Sequence, residues 1–356
     1  MNRIDFIKRE IEDRTCVRGD VSEDSATIQY YNDIKEAMQI PDFPIVMINT
    51  IEKRIYMMHE SNNQSYLVFD TYFLENMYLL NRLLNGLGKD SLLESFMNKM
   101  LSEECYTNKK IHGAIKYAGE YMNTLPEVIK SIESERLSNT VSDYLFVQQA
   151  FMIAHEIFHY YMYKDSDIRD RGLNSKASFL KSIYDYCGMH FPENRDTMNP
   201  FENDSNLVLE CLCDSTALIH AIDVGTTIRR FDVAESAVAA TVALMNQYII
   251  SMIQDYVKKS GYLSLEALHN PFLLRLLHIK AAASKYIREY FNASDEERYC
   301  SVIEEKTQQW NELIYKPVWR YLLDEYESIQ EGDTLQSINS DLKKQIKKTL
   351  WMVYCS

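Results

Sequence analysis

Chain breakers are scarce in this sequence: 10 Gly and 7 Pro stand among 356 residues. Tight reversals draw mainly on Gly and Pro, so a chain with so few must run in long segments. Long segments with apolar residues every three or four positions are helices. From Phe73 onward that pattern holds almost throughout, and LENMYLLNRLLNGLG reads as a helix stopping at its Gly-containing end. One interval has a different period. After the PDFP breaker at 41 to 44, the runs PIVMINT, RIYMMHE and SYLVFD are short and β-rich, separated by IEK and SNNQ. They predict a small antiparallel β-meander over roughly 44 to 70. The expected fold is therefore α+β but mostly α, the meander near the N-terminus packing on a large helical core. Residues 1–40 read as an N-terminal helical segment, 41–285 as the main domain and 286–356 as a C-terminal helical region.

Composition narrows the function. A net charge of −14 argues against nucleic-acid binding and against a general affinity for anionic membranes, because no large basic surface offsets it. Seven cysteines, an odd number without a CxxC pair, form no disulfide framework and suit a reducing, cytoplasmic location. The N-terminal MNRIDFIKREIEDRTC lacks the apolar core of a signal peptide. The stretch SAVAATVALMNQYIISMI, 236–253, approaches membrane-spanning length but carries Asn246 and Gln247, and is expected to be a core helix.

The chemistry-bearing feature is FMIAHEIFHYYMY, residues 151–163. His155 and His159 stand four apart, so on a helix both imidazoles share one face and can reach a single ion, with Glu156 beside them. This HExxH spacing places two His on zinc and the Glu as general base. By chance it arises in on the order of one chain in a hundred of this length. Here it lies in an apolar run, Phe151, Met152, Ile153, Ile157 and Phe158, where two His and a Glu would be costly without compensation. A catalytic zinc needs a third protein ligand. NLVLECLCDSTALIHAI, 206–222, offers Glu210 and Asp214, again four apart on one face of an apolar helix. Glu210 would close the coordination sphere while Asp214 fixes the tautomer of a ligating His. Cys213, Asp214 and His190 are the alternatives for the third ligand.

HEIFH followed by ECLCD resembles the gluzincin metallopeptidases, whose pattern is HExxH and then ExxxD on a second helix. LHNPFLLR, 268–275, is similar to the His-Pro and Arg segment that follows in the HtpX and CAAX-prenyl-protease group. Among soluble proteins, the chain resembles the cytoplasmic phage-exclusion peptidases of the Lit type. The resemblance covers about 155–275 and departs from that group in having one doubtful spanning helix at most and an Asn between His269 and Pro271. It implies a zincin-like core, a Zn2+ cofactor, a protein or peptide substrate, and oxyanion stabilisation by Arg275 with His269. In peptidases of this plan the edge strand over the active-site helix can pair with an extended peptide. Arg275, alone in the apolar LLRLLHI, could instead be the structural partner of a buried acid such as Asp214 or Glu235. The expected activity is zinc-dependent peptide hydrolysis; the competing expectation is a catalytically silent regulatory or protein-binding module on the same fold.

Overall fold

A strand whose side chains are all buried belongs inside a sheet, with a partner on each side. In the computed structural model, Ser65–Asp70 (SYLVFD) is such a strand, with all six residues buried. The structure describes residues 20–21, 32, 36, 45–51, 53, 55–59, 65–87, 89–134, 139–174, 176–188, 205–258 and 265–325. Within them, Asp20–Val21 (β1), Ile45–Asn49 (β2), Ile55–His59 (β3) and Ser65–Asp70 (β4) form one sheet in the order β1-β2-β4-β3. β3 lies antiparallel to β4, with Ile55 opposite Phe69 and His59 opposite Ser65. β2 lies parallel to β4, with Ile45 opposite Leu67 and Ile48 opposite Asp70.

The antiparallel meander is therefore corrected to a mixed sheet. A meander would place β3 at the centre, yet Tyr56 and Met57 of β3 are only half-buried whereas β4 is wholly buried. Asp70 fixes the arrangement. Its buried carboxylate accepts hydrogen bonds from Thr50 N (3.1 Å), Thr50 Oγ1 (2.6 Å), Lys53 N (3.1 Å) and Tyr72 N (3.0 Å). The end of β2 is thus tied to the end of β4, as parallel pairing requires. The helical expectation for 1–40 is corrected at Asp20–Val21, which pairs antiparallel with β2 and gives its outer edge a partner. Residues 1–19, 22–31, 33–35 and 37–44 lie outside the described residues.

Helices follow: Thr71–Leu84 (α1), Lys89–Thr107 (α2), Ile111–Ser134 (α3), Asn139–Lys164 (α4), Ser166–Asn174 (α5), Lys176–Tyr186 (α6), Ser205–Ile228 (α7), Val233–Lys258 (α8), Leu265–Tyr290 (α9), Ala293–Trp310 (α10) and, after a π turn at Asn311–Tyr315, Lys316–Asp324 (α11). Asp70 also caps α1 at its N-terminus. Gly86, at φ 72, ends that helix, with Gly86 N on Leu83 O (2.9 Å) and Leu87 N on Arg82 O (3.0 Å). That pairing is the Schellman arrangement, and its left-handed residue explains the glycine.

Lys53, fully buried, reaches Glu103 Oε2 (2.7 Å) and Glu104 Oε1 (2.6 Å) on α2. Burial alone would lower the Lys53 pKa, but the two glutamates raise it well above the ordinary lysine value. This buried ion cluster joins the sheet to α2. Helix α8 is long and apolar enough to cross a membrane by length and composition, yet nearly all of it is buried within the fold, with Ala237, Val242, Met245 and Ile249 fully enclosed. It is the central helix of the core, packing on α4, α7, α9 and α10. Helix α9 runs unbroken through position 285, and Tyr299, Ile303, Ile314 and Leu322 beyond it share the same hydrophobic cluster.

Candidate metal centre

The interior of α4 carries FMIAHEIFHYYM, and the apolar positions of that run decide which way the histidines face. Phe151, Ile153, Ala154 and Ile157 are buried in the main core, and β3 lies against the same helix. Helix α7 packs along α4 and α9 packs along α7, so α7 is sandwiched between the two elements that carry the other charged candidates. Its Leu218, Ala221 and Ile222 enter the main core, while Leu207, Val208 and Cys211 form a smaller cluster with Leu173 and Leu274. Glu210 and Asp214, one turn apart, are thereby aimed at α4 and α9.

The side chains converge. His155 Nε2 and His159 Nε2 stand 3.0 Å apart. Glu210 Oε2 is 3.4 Å from His155 Nε2, and Glu210 Oε1 is 3.2 Å from His159 Nε2. Ligands held tetrahedrally about 2.0–2.1 Å from an ion are separated by about 3.3 Å, so these spacings fit one divalent metal of zinc's size. Among the described residues, these three are the group of His, Cys, Asp and Glu side chains whose ligand atoms all lie within 4.8 Å of one another. On the far side of the His155 ring, Nδ1 is 3.0 Å from Asp214 Oδ1, so Nε2 is left to face the cluster. Asp214 is fully buried.

Arg275 closes the constellation from α9. Its Nε and Nη2 donate to Asp214 Oδ2 (2.7 Å) and Oδ1 (2.8 Å), a bidentate fork, while Nη1 is 3.1 Å from Glu210 Oε2. The guanidinium is thus engaged by Asp214 and Glu210 of α7, the structural alternative to an oxyanion donor. Glu235, the other acid considered for it, accepts instead from Tyr144 Oη at 2.7 Å.

Electrostatics follow from this crowding. Burial would lower the His155 pKa, but Asp214 and Glu210 raise it to about 9. For Glu210 burial works upward, and the two histidines and Arg275 overcome it, holding the carboxyl well below its usual range. Asp214 is held down against burial chiefly by Arg275. Glu156 differs: burial raises its pKa, and Glu210 adds to the rise, while His155, His159 and Arg275 oppose it. Of the carboxyls around the centre, it is the one shifted toward the range where a proton is both taken up and released.

Cys213 and Cys211 are both buried, and burial pushes their thiols far above the ordinary value, which disfavours the thiolate a metal requires. His190 lies outside the described residues, and His269 lies on α9 with its side chain outside them. One residue escaped the sequence reading. His278, one turn beyond Arg275, is buried near Asp214 and the Cys211 backbone, and burial lowers its pKa to about 4. The signal was available as the Arg275–His278 spacing of three, which puts both on one face. No protein family, curated protein or solved structure matches this chain.

Proposed function

We propose that this chain is a metal-dependent peptidase of the gluzincin kind, with His155, His159 and Glu210 holding Zn2+. The observation that carries this reading is the set of donor spacings, 3.0, 3.2 and 3.4 Å, together with Asp214 Oδ1 at 3.0 Å from the distal nitrogen of His155. Zinc at such a centre polarises a carbonyl and makes water acidic near neutral pH. The residues do the rest. Glu156, a neighbour of His155 with a raised pKa, accepts the proton of the attacking water on its carboxylate and delivers it to the nitrogen of the leaving amine. Asp214 and Arg275 keep the ligands oriented, so Arg275 is a positioning residue in this reading. The sheet supports a polypeptide substrate: among the described residues β3 stands last in the strand order and lies on α4, where an extended chain could add to it by main-chain hydrogen bonds.

The test compares cellular proteins after expression of the wild type and of Glu156→Gln. The amide cannot take the proton, so fragments made by the wild type should vanish while zinc content and melting temperature stay level. Equal fragment patterns from both proteins would remove the mechanism.

A further inference from the structure

Glu210 sits on a part of α7 that the main core does not hold. Among the described residues, the main hydrophobic cluster takes α7 only from Ala217 onward, through Ala217, Leu218, Ala221, Ile222 and Val224. The turns that carry Glu210 pack instead through Leu207, Val208 and Cys211, a separate small cluster completed by Leu173 of α5 and Leu274 of α9. Leu212 adds a second contact with α5. It lies two residues from Glu210 and two from Asp214, so it projects from the opposite side of α7. A Cβ built on Gly172 of α5 would overlap the Leu212 Cδ2 methyl. Glycine is a poor residue for a helix interior, yet Gly172 is buried within α5, and the Leu212 side chain fills the space its own would need.

Helix α5 is also tied to the other two ligands. Helix α4 ends at Lys164, five residues after His159, and the single residue Asp165 separates it from α5. Asp165 Oδ1 accepts from Asp167 N (2.8 Å) and Ile168 N (3.3 Å), while Asp165 N donates to Tyr161 O (2.9 Å). The connection is therefore a capped turn of one geometry. We propose that α5 is a strut that sets the distance between the His159 turn of α4 and the Glu210 turn of α7, with Gly172, Leu173 and Leu212 as positioning residues of the metal centre. This inference rests on His155, His159 and Glu210 being the ligands. Because the contacts of α5 with α7 lie outside the main core, altering them shifts Glu210 relative to the histidines and leaves the rest of the fold in place. Metal affinity depends on the placement of the donors and registers that shift.

The experiment titrates zinc-free full-length protein with Zn2+ against a chromophoric chelator, records the visible spectrum with Co2+ in its place, and follows thermal unfolding of the zinc-free form. Gly172→Leu should weaken zinc binding by about 10-fold or more and lower the Co2+ absorption, which is strongest in a near-tetrahedral site. Its zinc-free melting temperature should stay within a few degrees of the wild type's. Adding Leu212→Ala to Gly172→Leu removes the overlapping methyl and should restore most of the affinity and the spectrum. Leu173→Ala introduces no clash; it should weaken zinc in the same direction, and it decides the matter if Gly172→Leu does not fold. Wild-type affinity in Gly172→Leu and Leu173→Ala, or a loss that Leu212→Ala does not reverse, would overturn the strut and leave the metal reading standing. Failure of the wild type to bind zinc would overturn both.

Discussion

At the scale of single residues, Arg275 and His278 show how the centre is held. A lysine at 275 keeps the charge but reaches one acceptor where the guanidinium serves three carboxylate oxygens at 2.7, 2.8 and 3.1 Å. Arg275→Lys should therefore cost about 1–3 kcal/mol of stability and weaken zinc binding about 10–100-fold, read by denaturant unfolding and zinc titration. Unchanged stability and affinity would take Arg275 out of the support of the centre. His278 makes a prediction about acid. Its pKa falls from 6.5 to about 4 because burial disfavours the imidazolium. A base depressed in the fold contributes stability that is complete above pH 6.5 and is lost as pH falls through about 4. His278→Leu should flatten the stability profile across that window by up to ~3 kcal/mol, measured by unfolding at several pH values. A profile as steep as the wild type's would show that other groups set the acid limb.

At the scale of elements, Asp70 matters most to the sheet. It caps α1 and gathers the β2–β3 connection, taking four hydrogen bonds on one buried carboxylate. Removing it leaves the Thr50 and Lys53 amides without their acceptor in a buried place. Asp70→Ala should cost about 3 kcal/mol or more, and hydrogen exchange should rise first in 50–53 and at the start of α1. Protection unchanged there would mean the parallel pairing of β2 and β4 is held by its ladder alone. The neighbouring Lys53, Glu103 and Glu104 cluster, to which Tyr72 and Lys99 are joined through Glu103, is a second tie between sheet and α2.

For the whole molecule, the metal should be linked to folding. The three proposed ligands come from two helices, α4 and α7, whose packing exists only in the folded chain. Zinc at 100 times its Kd should therefore stabilise the protein by about 2.7 kcal/mol, and a chelator should lower the melting temperature of protein that carries about one zinc per chain. In His155→Ala and His159→Ala the response to zinc and chelator should largely disappear. A melting temperature indifferent to zinc in the wild type, with no metal found by elemental analysis, would leave the fold intact and favour the silent binding module instead.

Local periodicity made the helices legible from sequence. The same three- and four-residue intervals that mark apolar faces also put His155 with His159, and Glu210 with Asp214, because positions four apart on a helix meet whatever the rest of the chain does. The segments of β2, β3 and β4 were legible too, from alternation and flanking turn residues, but the two-residue β1 was not, being too short to carry a period. Strand order was not, because pairing joins residues far apart in sequence and depends on which strand ends up covered. The burial of β4 and the capture of Thr50 and Lys53 by Asp70 settled that order only in three dimensions. Likewise, the identity of Arg275's partners depended on how α9 crosses α7. An isolated arginine in an apolar helix must meet an acid or developing negative charge, but only the packed structure, with its fork on Asp214 and its third nitrogen near Glu210, decided which.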